Sequence, residues 1–403
     1  MTKRIVIIGA GFAGMFSALS AARLRDIQGV SPDELEITVI APEPAMTVRP
    51  RLYENAPADM VAPLDELFQS TDVRFAHGSV ETIDSAGDRI VVTAPDGTRS
   101  ELTYDRLILA AGSRLARPPL PGLADFAFSV DRRDEAAALE RHVHALATRP
   151  ASAERDTVVI AGGGFTGIET AAEFPARLRK VLGPDVVARV IIVERSDAIG
   201  PDLGPGPRPV IEEALKELGV ECRLGVSVSG VDAHGVTLAD GTRIESATVV
   251  WTGGVRATTL TEQVPSKRDK QGRLFVDSDL RVPGAPRIFA AGDTANAATD
   301  NLGNRTLMSC QHALPLGRSA GNNAAADLLG LPTMPYAQAE YGTCLDLGPW
   351  GAVVTQGWNR VIQMTGADAK AMKKQINSVW IYPPKADRAV AFAAAEPGKF
   401  AVV

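Results

Sequence analysis

Two runs of glycine stand where a chain could hold phosphates. Gly9, Gly11 and Gly14 follow the β-branched run Ile5–Ile8 and precede an Ala-rich helical run, Met15–Leu24. Gly162, Gly164 and Gly167 follow Thr157–Ala161 and precede a helical run over Ile168–Leu182. Each set has the spacing GxGxxG between a buried strand and a helix. The first glycine makes the tight turn, the second lets backbone approach a pyrophosphate, and the third lets helix and strand pack closely. The helix N-terminus then offers free N–H groups and partial positive charge to the phosphates.

The elements that must position these glycines occur twice. After the first helix comes a strand, Glu36–Ile40, where a dinucleotide fold places an acid for ribose hydroxyls. Ala41 occupies that place, and Glu43 is the nearest substitute. The loop Val48–Tyr53 carries Arg49 and Arg51 about Pro50, facing an anionic cofactor or solvent. A strand at Val73–Phe75, an antiparallel meander over Val80–Leu102 and a buried strand ending at Ala110-Ala111-Gly112-Ser113 complete the first half. The second half repeats the order: strand Val190–Val193 ending on Glu194, a strand prepared by Glu217–Arg223, a hairpin over Val231–Ile244 with Asp240-Gly241 at its tip, and Ala247–Gly254. Repetition at this scale means two domains of one design. Glu194 suits the paired ribose hydroxyls of NADH and repels a 2′-phosphate, whereas Arg195 favours NADPH, so the nicotinamide preference stays open.

Composition bounds the rest. The chain has 403 residues, 45% hydrophobic and 22% charged, with net charge −6. That is an ordinary globular composition, and without a basic run nucleic acid is not an expected partner. Cys222, Cys310 and Cys344 are odd in number and far apart, unlike a secreted disulfide framework. No apolar run of about 18 residues occurs and the first strand begins at residue 4, so a soluble, reducing, cytoplasmic setting is expected. No metal site is read.

The two GxGxxG motifs, the Ala110–Ser113 strand end and Arg287-Ile288-Phe289-Ala290-Ala291-Gly292-Asp293 resemble the FAD-dependent pyridine nucleotide oxidoreductases. The resemblance covers roughly residues 4–330. Gly164–Glu169 and Trp251–Arg256 are most similar to the type II NADH:quinone dehydrogenases within that group. The resemblance implies an α/β fold of two Rossmann-like dinucleotide-binding domains, the second inserted in the first, plus a small C-terminal α+β region. The FAD-binding domain is placed at residues 1–125 and 270–330, the NAD(P)H-binding domain at 150–260, and a C-terminal interface region at 331–403. Motifs and resemblance together assign Gly9, Gly11, Phe12, Ala13, Gly14, Glu43, Arg49, Val80, Ala111, Gly112, Gly292, Asp293 and Gln311 to FAD. They assign Gly162, Gly164, Phe165, Thr166, Gly167, Glu194 and Gly253 to NAD(P)H. The resemblance puts Asp293 on the flavin ribityl chain and makes Glu169 and Gln311 the catalytic candidates.

The electron acceptor is then narrowed by chemistry. Disulfide reductases carry a CxxxxC beside the flavin, and this chain has no cysteine before Cys222, so that thiol relay is excluded. Cys310 and Cys344 read as small buried hydrophobes. Gln311 matches the first glutamine of the AQxAxQ helix start of quinone dehydrogenases, but Cys310 and Pro315 replace the alanine and the second glutamine. His312 is a structural histidine or a proton donor to an acceptor. NADH is expected to pass hydride to FAD, and a quinone-like small molecule to take the electrons. The alternatives are a reductase feeding a carrier protein or an oxygenase, and a nicotinamide-responsive sensor.

In the C-terminal region Ala369, Met372, Ile376 and Val379 recur at helical spacing, with Lys370, Lys373 and Lys374 assigned to other faces. Such a helix docks on the flavin domain or on a second copy. The less favoured alternative is peripheral contact with the inner face of a membrane.

Overall fold

The computed structural model describes residues 2–399. The strand Lys3–Ile8 is the centre of the first sheet. Its Ile5, Val6, Ile7 and Ile8 are all buried, as a parallel strand covered on both faces requires. Strands lie in the order 281–282, 285–290, 106–109, 3–8, 35–41 and 74–77. All neighbours are parallel except the first pair. Residues 285–290 thus return to the sheet begun by residues 3–8, across the whole of the second unit.

That second unit has its own parallel sheet, in the order 127–128, 248–251, 157–161, 189–193 and 220–223. Each unit adds a three-stranded antiparallel meander, over 79–103 in the first and 228–245 in the second. An antiparallel ribbon, Ser113–Leu115 against Val255–Ala257, ties the two together.

Element boundaries differ from the expected ones in ways the backbone explains. Both phosphate-loop helices start earlier, at Phe12 and Phe165, because Gly11 and Gly164 are themselves the N-cap residues. The strand expected at 73–75 spans Arg74–His77, in register with Thr38–Ala41. The strand expected over 217–223 begins only at Val220, because the preceding helix runs to Glu217.

The long helix Cys310–Leu329 packs along Phe12–Ile27 at unusually close range. A Cβ on Gly317 would lie 2.4 Å from the Ala13 carbonyl oxygen, and one on Gly321 would lie 2.0 Å from that of Ser17. Two helix backbones can approach this closely only where a side chain is missing.

The C-terminal region is a three-stranded antiparallel sheet, Gly342–Asp346, Ala352–Gln356 and Val361–Thr365. A helix, Gly366–Gln375, follows and continues into a wide turn over Ile376–Trp380. Gly348 seats this sheet against the second unit: its Cβ would meet the Ala172 carbonyl oxygen at 2.3 Å. A last helix, Arg388–Ala394, docks on the first unit, where Arg388 pairs with Asp26 and Asp72 at 2.7 Å each. No helix of the described residues is long and apolar enough to cross a membrane.

Gly321→Ala is expected to lower stability by about 1–3 kcal/mol through overpacking at the helix crossing. Thermal unfolding checks it, and an unchanged midpoint would mean the helices separate freely.

Candidate active site

The two glycine turns have the same mechanics. Gly9 has φ +106°, and its Cβ would lie 2.4 Å from the Ala110 carbonyl oxygen. A Cβ on Gly14 would fall 1.9 Å from the Gly9 oxygen, and one on Gly167 the same distance from the Gly162 oxygen. Gly11 and Gly164 differ: nothing lies within 4 Å of a Cβ on either. The first and third glycines are jammed against protein, and the middle one faces outward beside free helix N–H groups. This geometry fits a pyrophosphate at both turns.

Around the first turn, Ala13 is buried, Phe12 and Ala111 are half-buried, and Gly112 has φ +70°. Gly292 is held to glycine by Ala13, whose Cβ would be 2.8 Å from an added one. Asp293 accepts a hydrogen bond from Ser113 Oγ at 2.6 Å. Arg49 donates to the same Ser113 Oγ at 2.8 Å, lies 3.6 Å from Asp293 and pairs with Asp131. Only one of the two loop arginines therefore belongs here, because Arg51 pairs with Glu54 and Tyr382. Glu43 is exposed, and its carboxylate takes Arg133 Nη2 at 2.9 Å. Val80 is half-buried in the meander opposite Val92.

At the second turn, Glu194 is buried at the end of its strand. Its two oxygens accept from the backbone N–H groups of Gly163, at 2.7 Å, and Ser196, at 2.8 Å. The carboxylate is thus locked against the glycine turn. Arg195 is exposed, as is Thr166, while Phe165 is half-buried. Gly253 lies flat under the Trp251 ring, 2.6 Å from where its Cβ would be.

Glu169, on the helix that starts at Phe165, is 3% exposed. It meets Lys373 Nζ at 2.7 Å and accepts the Asp346 backbone N–H at 3.0 Å. Burial pushes its pKa up to about 7; the Lys373 charge opposes this and the Asp346 carboxylate adds to it. Lys373 is buried as well, and also donates to the Cys344 carbonyl at 3.0 Å. Its ammonium lies 5.9 Å from the Tyr53 ring centroid and 5.6 Å from that of Phe165. Tyr53 donates to Asp346 at 3.0 Å, and Lys370 bridges Asp346 and Glu173. Both Rossmann-like units and the C-terminal helix therefore meet in one charge network.

This corrects the reading of the C-terminal lysines as lying on other faces of their helix. Lys373 points inward and Lys370 is half-buried in ion pairs; of the three only Lys374 is exposed. The signal was present: Lys373 is four residues after Ala369 and three before Ile376, so helical spacing already puts it on the apolar stripe. Asp346, Tyr53 and Asp131 had no such signal.

The helix Cys310–Leu329 begins at this junction. Gln311 Oε1 accepts the Gly342 backbone N–H at 3.2 Å. Burial pushes the thiols of Cys310 and Cys344 up to about 11 and 12, so neither is a thiolate near neutral pH. All three cysteines are free. His312 is fully buried, and burial, with Arg273 and Arg360 nearby, pushes its pKa down to about 3. A proton-donating imidazolium is therefore not what this residue supplies.

Two parallel-stranded units, each with a phosphate turn, joined over one buried acid define an oxidoreductase that brings two dinucleotides together. The family model of the pyridine nucleotide-disulphide oxidoreductases matches residues 3–317, and the chain belongs to that family. It is an NADH dehydrogenase with FAD and NADH as its cofactors. It is 44% identical over 397 residues to an NADH dehydrogenase-like protein of Mycobacterium tuberculosis, covering 98% of each chain. It is 32% identical over 319 residues to a type II NADH:quinone oxidoreductase of the same organism, covering 72% of this chain and 67% of the relative. The structure of NDH2 from Plasmodium falciparum in complex with NADH shares the fold, with TM-score 0.76 at 16% identity over 98% of each chain.

Because the folded carboxyl of Glu169 holds its proton to about pH 7 and the unfolded one to about 4.5, this group makes stability fall as pH rises between those values. Lys373→Met removes the charge that compensates the ionised form. Its cost is expected to be about 3–5 kcal/mol at about pH 8 and clearly less at about pH 6. Equal losses in melts at both pH values would contradict the pairing.

Proposed function

We propose that the chain passes hydride from NADH to FAD and then two electrons to a quinone or quinone-like organic acceptor. The observation that carries this reading is the buried Glu169–Lys373 pair at the meeting point of the three regions. Glu169 titrates near neutrality, so it can give up a proton at physiological pH and recover it. A two-electron organic acceptor needs protons where it is reduced, and a disulfide acceptor would need a thiolate that this site lacks. The 32% identical relative with a quinone in its name supports the same acceptor class.

FAD is assigned to the turn Gly9–Gly14, with Phe12 and Ala13 at the helix start and Val80, Ala111, Gly112 and Gly292 along the wall. Asp293 takes the ribityl hydroxyls, oriented by Ser113 and by Arg49, which Asp131 holds in place. Gln311 and the N-terminus of its helix favour negative charge on the flavin. Glu43 is the ribose candidate by position only, since its carboxylate already has Arg133. NADH is assigned to Gly162–Gly167 and Gly253, with Phe165 and Thr166 at the helix start. Glu194, held by two backbone N–H groups, accepts the ribose hydroxyls. FAD held at this turn would supply hydride acceptance and two-electron release. The protein orients the two rings, excludes water with Tyr53 and Phe165, and moves protons through Glu169.

Glu194→Ala is expected to raise the Kd for NADH about tenfold or more, from losing charge-assisted bonds of about 1.5–3 kcal/mol, while NADPH binds no worse. Equal effects on the two nucleotides would remove Glu194 from the ribose site. The acceptor is tested by an anaerobic absorbance trace of the flavin-loaded protein. NADH should bleach the flavin, and a water-soluble quinone should restore it within the turnover time. Bleaching that persists after quinone would rule this acceptor out.

A further inference from the structure

The parallel sheet of the second unit ends on the strand Val220–Arg223, and no strand of the described residues pairs with its far side. The strand lies in unbroken register against Arg189–Val193. Free edges are usually blunted by a bulge, a proline or charge. The edge strand Val361–Thr365 follows that rule, with a register shift in its ladder. Val220–Arg223 has neither bulge nor proline, and its two charges are of opposite sign.

The groups on the open side follow from those on the paired side. The Arg223 carbonyl oxygen accepts the Glu194 N–H at 2.9 Å, so Arg223 turns its backbone groups into the sheet. These groups alternate along a strand, and Cys222 therefore turns its N–H and carbonyl to the open edge. The side chains alternate as well. Glu221 and Arg223 share one face, where their charged atoms are 3.6 Å apart, and Glu221 also takes Arg189 Nε at 2.8 Å. Val220 and Cys222 line a groove of about 390 Å³ beside the helix Arg208–Glu217. Leu215 and Val220 are its buried apolar walls, and the exposed Glu212 and Lys216 line it too.

This pattern complements itself. When two identical strands pair antiparallel, centring on Glu221 sets acid against acid, and centring on Arg223 sets base against base. Centring on Cys222 sets Glu221 opposite Arg223 on both sides of the centre. Opposite charges directly across a ladder are favourable and like charges are not. These pairs flank the hydrogen-bonded Cys222 pair, at positions where facing side chains lie closest. The two grooves then join along one face, with the two helices antiparallel. Glu212 and Lys216 lie four residues apart, so an antiparallel copy offers each the opposite charge.

We propose that Val220–Arg223 pairs antiparallel with the same strand of a second copy, centred on Cys222, with Glu221 of each copy facing Arg223 of the other. A contact of this kind uses the same patch on both partners and closes on itself, so it makes a dimer and not a fibre. It is independent of the electron acceptor. It does reach the nicotinamide side, because the strand whose Arg223 carbonyl holds the Glu194 N–H becomes an inner strand of a continuous sheet.

The test is sedimentation of the flavin-loaded full chain in reducing buffer. The wild type is expected to dimerise at about 100 µM, a concentration suited to an interface this small. Glu221→Lys and Arg223→Glu each set like charges opposite one another, and each is expected to raise the dimer Kd at least tenfold. In an equal mixture of the two variants every facing pair is again of opposite charge, so the mixture is expected to dimerise as the wild type does. Flavin content and melts show that the variants are folded. A wild type that stays monomeric overturns the proposal, as does a mixture no more associated than its parts. A wild-type dimer that neither variant weakens places the contact elsewhere and also overturns it. If Glu221→Lys fails to fold beside Arg189, a short bismaleimide decides. It is expected to link wild-type copies through Cys222, and to link neither Cys222→Ser nor Arg223→Glu. A wild-type dimer that this reagent leaves unlinked overturns the register.

Discussion

A carboxylate taken out of water has to be neutralised or paired, and Glu169 is poised between the two. Burial alone would keep it protonated. The Lys373 ammonium at 2.7 Å pulls it back to a titration near neutrality. Everything around it serves that balance. Tyr53 and Phe165 keep water out with ring faces that tolerate a cation. Asp346 is bound to Tyr53 and to Lys370, and its negative charge opposes ionisation of Glu169. An apolar pair of equal volume would pack as well and would be easier to bury. The retained charge therefore points to chemistry, not to stability.

The network can form only because three separate stretches of backbone converge with little slack. Parallel sheets fix where each phosphate-turn helix begins, and Glu169 lies on the first turns of one of them. The Gly348 contact sets the height of the C-terminal sheet over that helix, and the helix Gly366–Gln375 then brings Lys373 down onto the carboxylate. Glycines at the helix crossings do the same for the other partner, holding the start of Cys310–Leu329 close to Ala13 and Gly292. Missing side chains thus set the spacing, and charged side chains occupy what the spacing creates.

Much of this was legible in the sequence because it is local. A β-branched run, a glycine turn and a helix in that order carry their geometry with them. The same holds for Glu194 at a strand end and for Asp293 after a buried strand. What escaped is long-range. Lys373 pairs with a residue 204 positions earlier, and nothing near it in sequence announces that. A lysine on a short, charged helix is read as solvated unless its spacing to Ala369 and Ile376 is taken literally. Asp131 and Tyr53 were missed for the same reason, since each acts on a partner from another element. Glu43 lies two residues past the motif position, which Ala41 occupies, and its partner Arg133, contributed from elsewhere in the chain, has no signal near it in sequence.

Arg318 draws the last residues of the chain into the same structure. It lies over the Phe16 ring and donates to the carbonyl oxygens of Ala394 and Lys399. One buried guanidinium therefore ties the helix Cys310–Leu329 to the segment beyond the last helix, and a cut between Ala394 and Lys399 would strip that cation of one of its two carbonyls while leaving both glycine turns intact.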